Sequence, residues 1–256
     1  MPCLNQAEFL QPAIRSVLDQ GYDNLEFIII DGGSTDGSVD IIRKFSNRLA
    51  YWVSEPDNGQ AQAINKGLRR ATGEWIAWQN SDDLFLPGAF HGLASASHRY
   101  PRAMLLTGNM LLIDQSGQPL REMRYVRPTY SILRAEGMVV TNQAAFWKRE
   151  THSSIGYLDE TFECAFDYDW FLRLTESFPA EHVRALWGAL RIYGETKSKK
   201  RADVFAAEME RIRARRPFPD WAKSFYRMRR ALRMIAQGDA PYVLRGLIRR
   251  VREPST

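Results

Sequence analysis

Between Asn5 and Gln20 the apolar residues Leu10, Ile14, Val17 and Leu18 recur at helical spacing, with Asn5 placed to cap the first turn. The run LEFIIID, residues 25–31, is apolar and rich in isoleucine, ends at Asp31 and passes into the turn signal GGSTDG, so it reads as a buried strand and loop. A second helix follows, with Val39, Ile41, Ile42 and Phe45 on its inner side. LAYWVSE is a second strand, EPDNG a turn, AQAINKGLRRATG a helix closed by Gly73, and EWIAWQ a third strand. Alternation of this kind predicts an α/β fold, Rossmann-like, with a mostly parallel sheet and flanking helices. Such a unit opens with a strand before its first helix, yet only MPCL precedes Asn5. The N-terminal strand is therefore expected to be missing or reduced to a stub.

The second half changes character. AMLLTGNMLLID and LREMRYV flank the turn QSGQP as an antiparallel pair, VVTNQAAFWK is a further strand, and FDYDWFLRLTES has a helical pattern. These elements predict a smaller antiparallel extension of the first sheet. GETKSKKRAD reads as a polar, basic loop, and the remainder is helical with a break at Pro217 and Pro219. The resulting division is a body over 1–200, with halves at 1–100 and 101–200, and a basic helical extension over 201–256.

Charge sharpens this division. From Arg211 onward there are thirteen Lys/Arg and three Asp/Glu, a net of +10, whereas the first 210 residues carry 22 basic and 27 acidic side chains, a net of −5. A basic tail on an acidic body points to a local contact with something anionic and away from nucleic acid. Within the tail, Trp221, Phe225, Met228, Leu232 and Ile235 form an apolar helical stripe among Arg227, Arg229, Arg230 and Arg233, and Leu244, Leu247, Ile248 and Val251 repeat the theme. The expectation is that both helices pack on the body with their arginines solvated; the competing reading is peripheral attachment to an anionic membrane surface. With 256 residues, 45% of them apolar, the chain suffices for one sizeable core with an appended part. It has neither a membrane-length apolar run nor the layout of a signal peptide, so a cytoplasmic protein is expected. Cys3 and Cys164 match no metal-ligand spacing, and Cys164 is expected to be a small buried apolar residue.

The acids carry the candidate chemistry. Asp31, Asp57 and the pair Asp82/Asp83 each stand at or just past the end of a separate predicted strand. Ligands of open parallel sheets bind beyond those ends, and clustered carboxylates there suit Mg²⁺ or Mn²⁺, which in turn would hold phosphates. Any one such Asp is as readily a turn former. Asp167 and Asp169, near a helix start, either complement the helix dipole or supply a general base. The glycines form neither a dinucleotide fingerprint nor a Walker loop.

The order of motifs NQAEFLQPAIRSVLDQGYDNLEFIIIDGGSTDGSVDII, YWVSEPDNGQAQAINKGLRRATGEWIAWQNSDDLFLPGA, NQAAFWKRE and FDYDWFLRL resembles family 2 glycosyltransferases of the GT-A fold over about residues 2–200, nearest to bacterial enzymes that build surface polysaccharides. The resemblance implies inverting, divalent-metal-dependent transfer of a sugar from a nucleotide-diphosphate donor, a UDP-sugar as first guess, to a saccharide or lipid-linked acceptor. It implies that Asp83 is the main metal ligand of a DXD-type motif, that Asp82 contacts ribose or supports the metal, and that Asp31 and Asp57 lie in loops cradling the nucleotide. Asn65 and Lys66 would lie near its phosphates, with Asp167 as catalytic base. Three departures stand out: Gly32 where many members carry a second acid, Tyr193 where some supply a metal-binding histidine, and a first strand surviving only as PCLN. The last departure suggests a start placed too far downstream, and a chain with roughly ten upstream residues restored is expected to be more soluble and more active. Two other functions compete: a catalytically silent nucleotide-sugar-binding partner subunit and, on a similar sheet, a nucleotidyltransferase.

Overall fold

A computed structural model describes residues 1–194, 201–215 and 218–252, with side chains up to residue 246. The polar loop expected over GETKSKKRAD falls largely outside the described residues, as do Pro217 and the side chains of Leu247, Ile248 and Val251.

The first half builds a three-stranded parallel sheet in the order β1 (Pro2–Cys3), β2 (Ile28–Asp31), β3 (Tyr51–Ser54). The expected stub is present: Pro2 pairs with Ile30 and Cys3 with Asp31. Helices α1 (Ala7–Leu18), α2 (Ser38–Lys44) and α3 (Gln60–Arg70) alternate with these strands. The inner face of α1, with Leu10, Ile14 and Val17, is fully buried, as its spacing demands. Asn5 does not cap this helix. It adopts a left-handed conformation (φ 51°), and the Ala7 N–H is instead met by the Asp36 carboxylate at 2.8 Å.

The third predicted strand departs from the expected single sheet. β4 (Trp75–Ile76) does not join the parallel sheet but pairs antiparallel with β8 (Ala145–Lys148). It edges a second, mixed sheet in the order β4-β8-β6-β9-β5, where β5 is Leu84–Phe85, β6 is Leu105–Ile113 and β9 is Ala180–Arg191; β7 (Pro119–Met123) pairs with β6 as the expected hairpin. The helices α4 (Ala89–Arg99), α5 (Tyr130–Glu136), α6 (His152–Ile155) and α7 (Phe166–Ser177) complete the body. The core is aromatic. Trp147, Trp170, Trp187 and Phe171 are buried, and Trp78 packs on Trp147 and Phe171 with ring centroids 5.2 and 5.9 Å apart. Truncating one of these rings costs about 3–5 kcal/mol.

An apolar cavity of about 550 Å³ lies between the two sheets, lined by Ile28, Ile30, Ile64, Trp78, Phe85 and Phe146, among others. Gln79, whose buried amide has no hydrogen-bond partner among the described residues, stands on its wall. Asp31, Asp57, Asp82, Asp83 and Asp167 do not line this cavity.

The tail contains α8 (Ala202–Arg215), α9 (Asp220–Ala236) and α10 (Ala240–Arg252). The first of these is part of the body. Glu208 accepts from the N–H groups of Glu163, Cys164 and Ala165 just before α7, and Arg215 pairs with Asp169 and Asp159. Cys164 is half-buried, not the buried apolar residue expected. The helix α9 packs on α5, as expected of the tail, with Ala222 and Met234 buried, but its apolar stripe is not the packed face and lies open to solvent.

Candidate active site

The site is built from the loops that follow β2, β3 and β4, closed by the end of β9. Asp83 is 1% exposed, and its carboxylate accepts three hydrogen bonds from the protein. Its Oδ1 accepts from the Arg191 N–H at 2.9 Å, and its Oδ2 accepts from Gln143 Nε2 at 2.7 Å and Asn80 Nδ2 at 3.0 Å. Burial, with the adjacent Asp82, pushes its carboxyl up to about 7. Gln143 reaches Asp83 because Gly188 lets the 142–144 turn press onto β9. A Cβ at Gly188 would lie 1.8 Å from the Gln143 carbonyl oxygen.

Asp82 is arranged differently. It is less buried than Asp83, and its Oδ2 accepts from the Tyr193 hydroxyl at 2.9 Å. Burial raises its carboxyl above the ordinary range, against the pull of the Tyr193 hydroxyl and of Arg191. Tyr193 is raised in turn by burial and by Asp82, so its hydroxyl stays protonated and donates. The Arg191 guanidinium ties this loop down, with Nε donating to the Asp82 carbonyl oxygen and Nη1 to the carbonyls of Asp114 and Gln115. Asp83 therefore anchors the loop, and Asp82 is the more accessible acid of the pair.

The nucleotide-loop candidates sort in the same way. Asp31 is fully buried, accepting from the N–H groups of Gly33 and Ser34 and from the hydroxyls of Ser34 and Ser54. Burial acts to raise its carboxyl, but the bonds from Ser34 and Ser54 outweigh it and hold the group below the usual range. It shapes the loop from within. Asp57 is half-buried, accepts from the Gly59 N–H at 2.8 Å, and lies against Gly32, where a Cβ would meet its Oδ2 at 2.5 Å. The missing second acid at position 32 thus leaves room for the Asp57 carboxylate. Gln60, at the start of α3, donates to Asn80 at 3.0 Å and joins this loop to the Asp82 loop.

Asn65 is taken up by the protein's own backbone. It is buried and clamps the 158–160 segment, donating to the Leu158 carbonyl and Glu160 and accepting from the Leu158 N–H. Lys66 pairs with Glu55 at 2.9 Å, beside the Asp57 turn. Of the acid pair on α7, Asp169 is buried and held by Arg173 and Arg215, whereas Asp167 is half-buried at the helix start and accepts from the Tyr168 N–H at 2.7 Å.

Sequence reasoning missed Gln143, Arg191 and Glu208. The first lies within the quoted motif NQAAF and the second just before Tyr193, but nothing local in the sequence announces a partner 60 or 108 residues away.

Comparison with known proteins agrees with this architecture. The family model "Glycosyl transferase family 2" matches residues 1–148. Chondroitin synthase of Escherichia coli is 27% identical over 208 residues, covering 80% of this chain and 30% of that protein. The chain spans between 21% and 56% of the length of the curated relatives it matches over two thirds or more of itself. Among solved structures, S. aureus TarS 1-349 in complex with UDP-GlcNAc superposes with a TM-score of 0.69 at 15% identity, covering 88% of this chain and 68% of that one. The mannosyltransferase PcManGT from Pyrobaculum calidifontis, in complex with GDP-Man and Mn²⁺, gives a TM-score of 0.59 at 18% identity, covering all of this chain and 74% of that one. The fold is GT-A, and the chain belongs to glycosyl transferase family 2.

Proposed function

We propose that this chain transfers a sugar, with inversion, from a nucleotide-diphosphate donor to a saccharide or lipid-linked acceptor in cell-surface polysaccharide synthesis, with UDP-sugar as the first donor to test. The observation that carries this reading is the loop after β4, where Asp82 is held beside the Tyr193 hydroxyl while Asp83 is locked to Gln143, Asn80 and Arg191.

The donor set suits a magnesium-like cation that shares its coordination with substrate. Among the described residues no three His, Cys, Asp or Glu side chains gather into a metal cluster, and of the adjacent pair Asp82 is the more accessible carboxylate. Mg²⁺ and Mn²⁺ bound to a nucleotide diphosphate are commonly held by one or two carboxylates, with phosphates and water completing the shell. Such a cation, when bound, offsets the charge that gathers on the leaving diphosphate.

The chain's own groups do the rest. Asp57 and Lys66 contact the nucleotide; Asp31 and Asn65 act at one remove, by shaping the loops around it. Asp167 takes the proton of the acceptor hydroxyl as that oxygen attacks the anomeric carbon and the bond to the diphosphate breaks. A screen of nucleotide sugars for thermal stabilisation with Mn²⁺ or Mg²⁺ tests the donor class, and transfer assayed with Asp167→Asn tests the base. Stabilisation by no nucleotide sugar in either metal contradicts this reading.

A further inference from the structure

The stripe on α9 is exposed along its whole length: Trp221 is 73% exposed, and Phe225, Met228, Leu232 and Ile235 are 45–58% exposed. At about 100° per residue the five fall within roughly 80° of arc and extend over about 21 Å. This helix is not a frayed end. Ala222 and Met234, off the stripe, are buried, Arg230 pairs with Glu136 of α5, and Asp239 just beyond it is buried between Arg124 and Arg184. The body thus fixes the helix with five large apolar side chains pointed at solvent, and Leu244 of α10 adds another at 59% exposure.

Apart from Asp220, which pairs with Lys223, the charges flanking the stripe are positive. Arg227, Arg229 and Arg233 are exposed and make no ion pair among the described residues, as is true of Arg245 on α10. The only acid on α9 is Asp220, which pairs with Lys223, and α10 has none. We propose that α9 and the start of α10 form a docking surface for an anionic lipid bilayer, lying in the plane of the interface with the stripe among the upper acyl chains and the arginines at the headgroups. Charge selects this occupant. A second copy seated on the stripe by the same face would bring arginine against arginine with Asp220 the sole acid on the helix to offset them, and a nucleic acid would leave the apolar residues wet. An apolar face with tryptophan at one end and arginines along its edges meets both needs of an anionic membrane surface. No described helix is long and apolar enough to cross a membrane, so the contact is peripheral.

The test uses the full chain and sedimentation with vesicles of phosphatidylcholine alone or mixed with phosphatidylglycerol. The expected result is binding to the mixed vesicles, weakened by added salt, and little to the neutral ones. Trp221→Glu with Leu232→Glu should abolish it, and each of Arg227→Gln and Arg229→Gln should weaken it roughly fivefold, the equivalent of about 1 kcal/mol per basic side chain at such a surface. These positions are exposed, so unchanged circular dichroism and melting temperature are expected to accompany the loss. Equal binding to both vesicle types, or binding untouched by the double substitution, overturns the proposal. So does failure to bind vesicles together with a self-association in analytical ultracentrifugation that the same double substitution removes, since the occupant is then a second copy.

Discussion

The hydroxyl of Tyr193 donates to Oδ2 of Asp82 across 111 residues of sequence, at 2.9 Å. This bond occupies one oxygen of the more accessible acid of the Asp82/Asp83 pair with a neutral donor. Replacing Tyr193 by histidine substitutes a nitrogen that ligates divalent metals, and the expected outcome is tighter Mn²⁺ binding, by about tenfold, in isothermal titration with a nucleotide diphosphate present. Tyr193→Phe frees Asp82 without adding a ligand and should change the affinity by less.

Asp82 and Asp83 should separate by phenotype despite being adjacent. Asp83→Ala leaves the Gln143 amide, the Asn80 amide and the Arg191 N–H without their shared acceptor. A loss of roughly 2–4 kcal/mol is expected, read as a melting temperature lower by about 5–10 °C. Asp82→Asn should melt within about 2 °C of the wild-type chain yet lose cation-dependent donor binding. Differential scanning calorimetry with and without Mn²⁺ and nucleotide separates the two.

Glu208 carries the site's dependence on the tail. Its two oxygens accept three N–H groups at the entry to α7, the helix that begins with Phe166 and Asp167. Carboxylates stabilise helix N-termini, and unmet buried donors are costly. Glu208→Ala is expected to lower stability by about 2–3 kcal/mol and to reduce transfer while donor binding persists, because the position of Asp167 and not the nucleotide loops is disturbed. Loss of donor binding in step with transfer would contradict this placement.

Acid should unfold the chain partly through His182. Burial, with Arg184 and Arg233 nearby, lowers its imidazolium from the ordinary 6.5 to about 4, and its Nε2 has no partner among the described residues. The folded state therefore binds fewer protons than the unfolded state between these values, so this residue's contribution is complete above about pH 6.5 and is lost as pH falls toward 4. Melting curves at pH 7, 5.5 and 4 should show a smaller acid loss for His182→Gln than for the wild-type chain.

What was legible in the sequence followed from local pattern. The helix over Phe166–Ser177, the hairpin of β6 and β7 and the strand ending at Asp31 all rest on periodicity or turn chemistry within a dozen residues. Pairing was not legible. The run EWIAWQ has the composition of a buried parallel strand, and only its partner β8, more than 70 residues on, decides that it edges the second sheet. The long-range hydrogen-bond partners of these side chains were hidden for the same reason. Asp83 and Asn65 have the residue types of ligand contacts, yet Gln143, Arg191 and the 158–160 segment arrive from far along the chain to use them as anchors. The tail shows the converse: the stripe on α9 was legible, but whether the body covers it depends on which face meets α5.

Calorimetric titration of the chain with UDP-sugars and other nucleotide sugars in the presence of Mn²⁺, set beside transfer by the same preparations, tests the central claim most directly. The account predicts saturable, metal-dependent donor binding that Asp82→Asn removes, and that Asp167→Asn leaves within about threefold while transfer falls by a factor of about a hundred or more. Donor binding and transfer that survive Asp82→Asn undiminished, or transfer that survives Asp167→Asn, would contradict it.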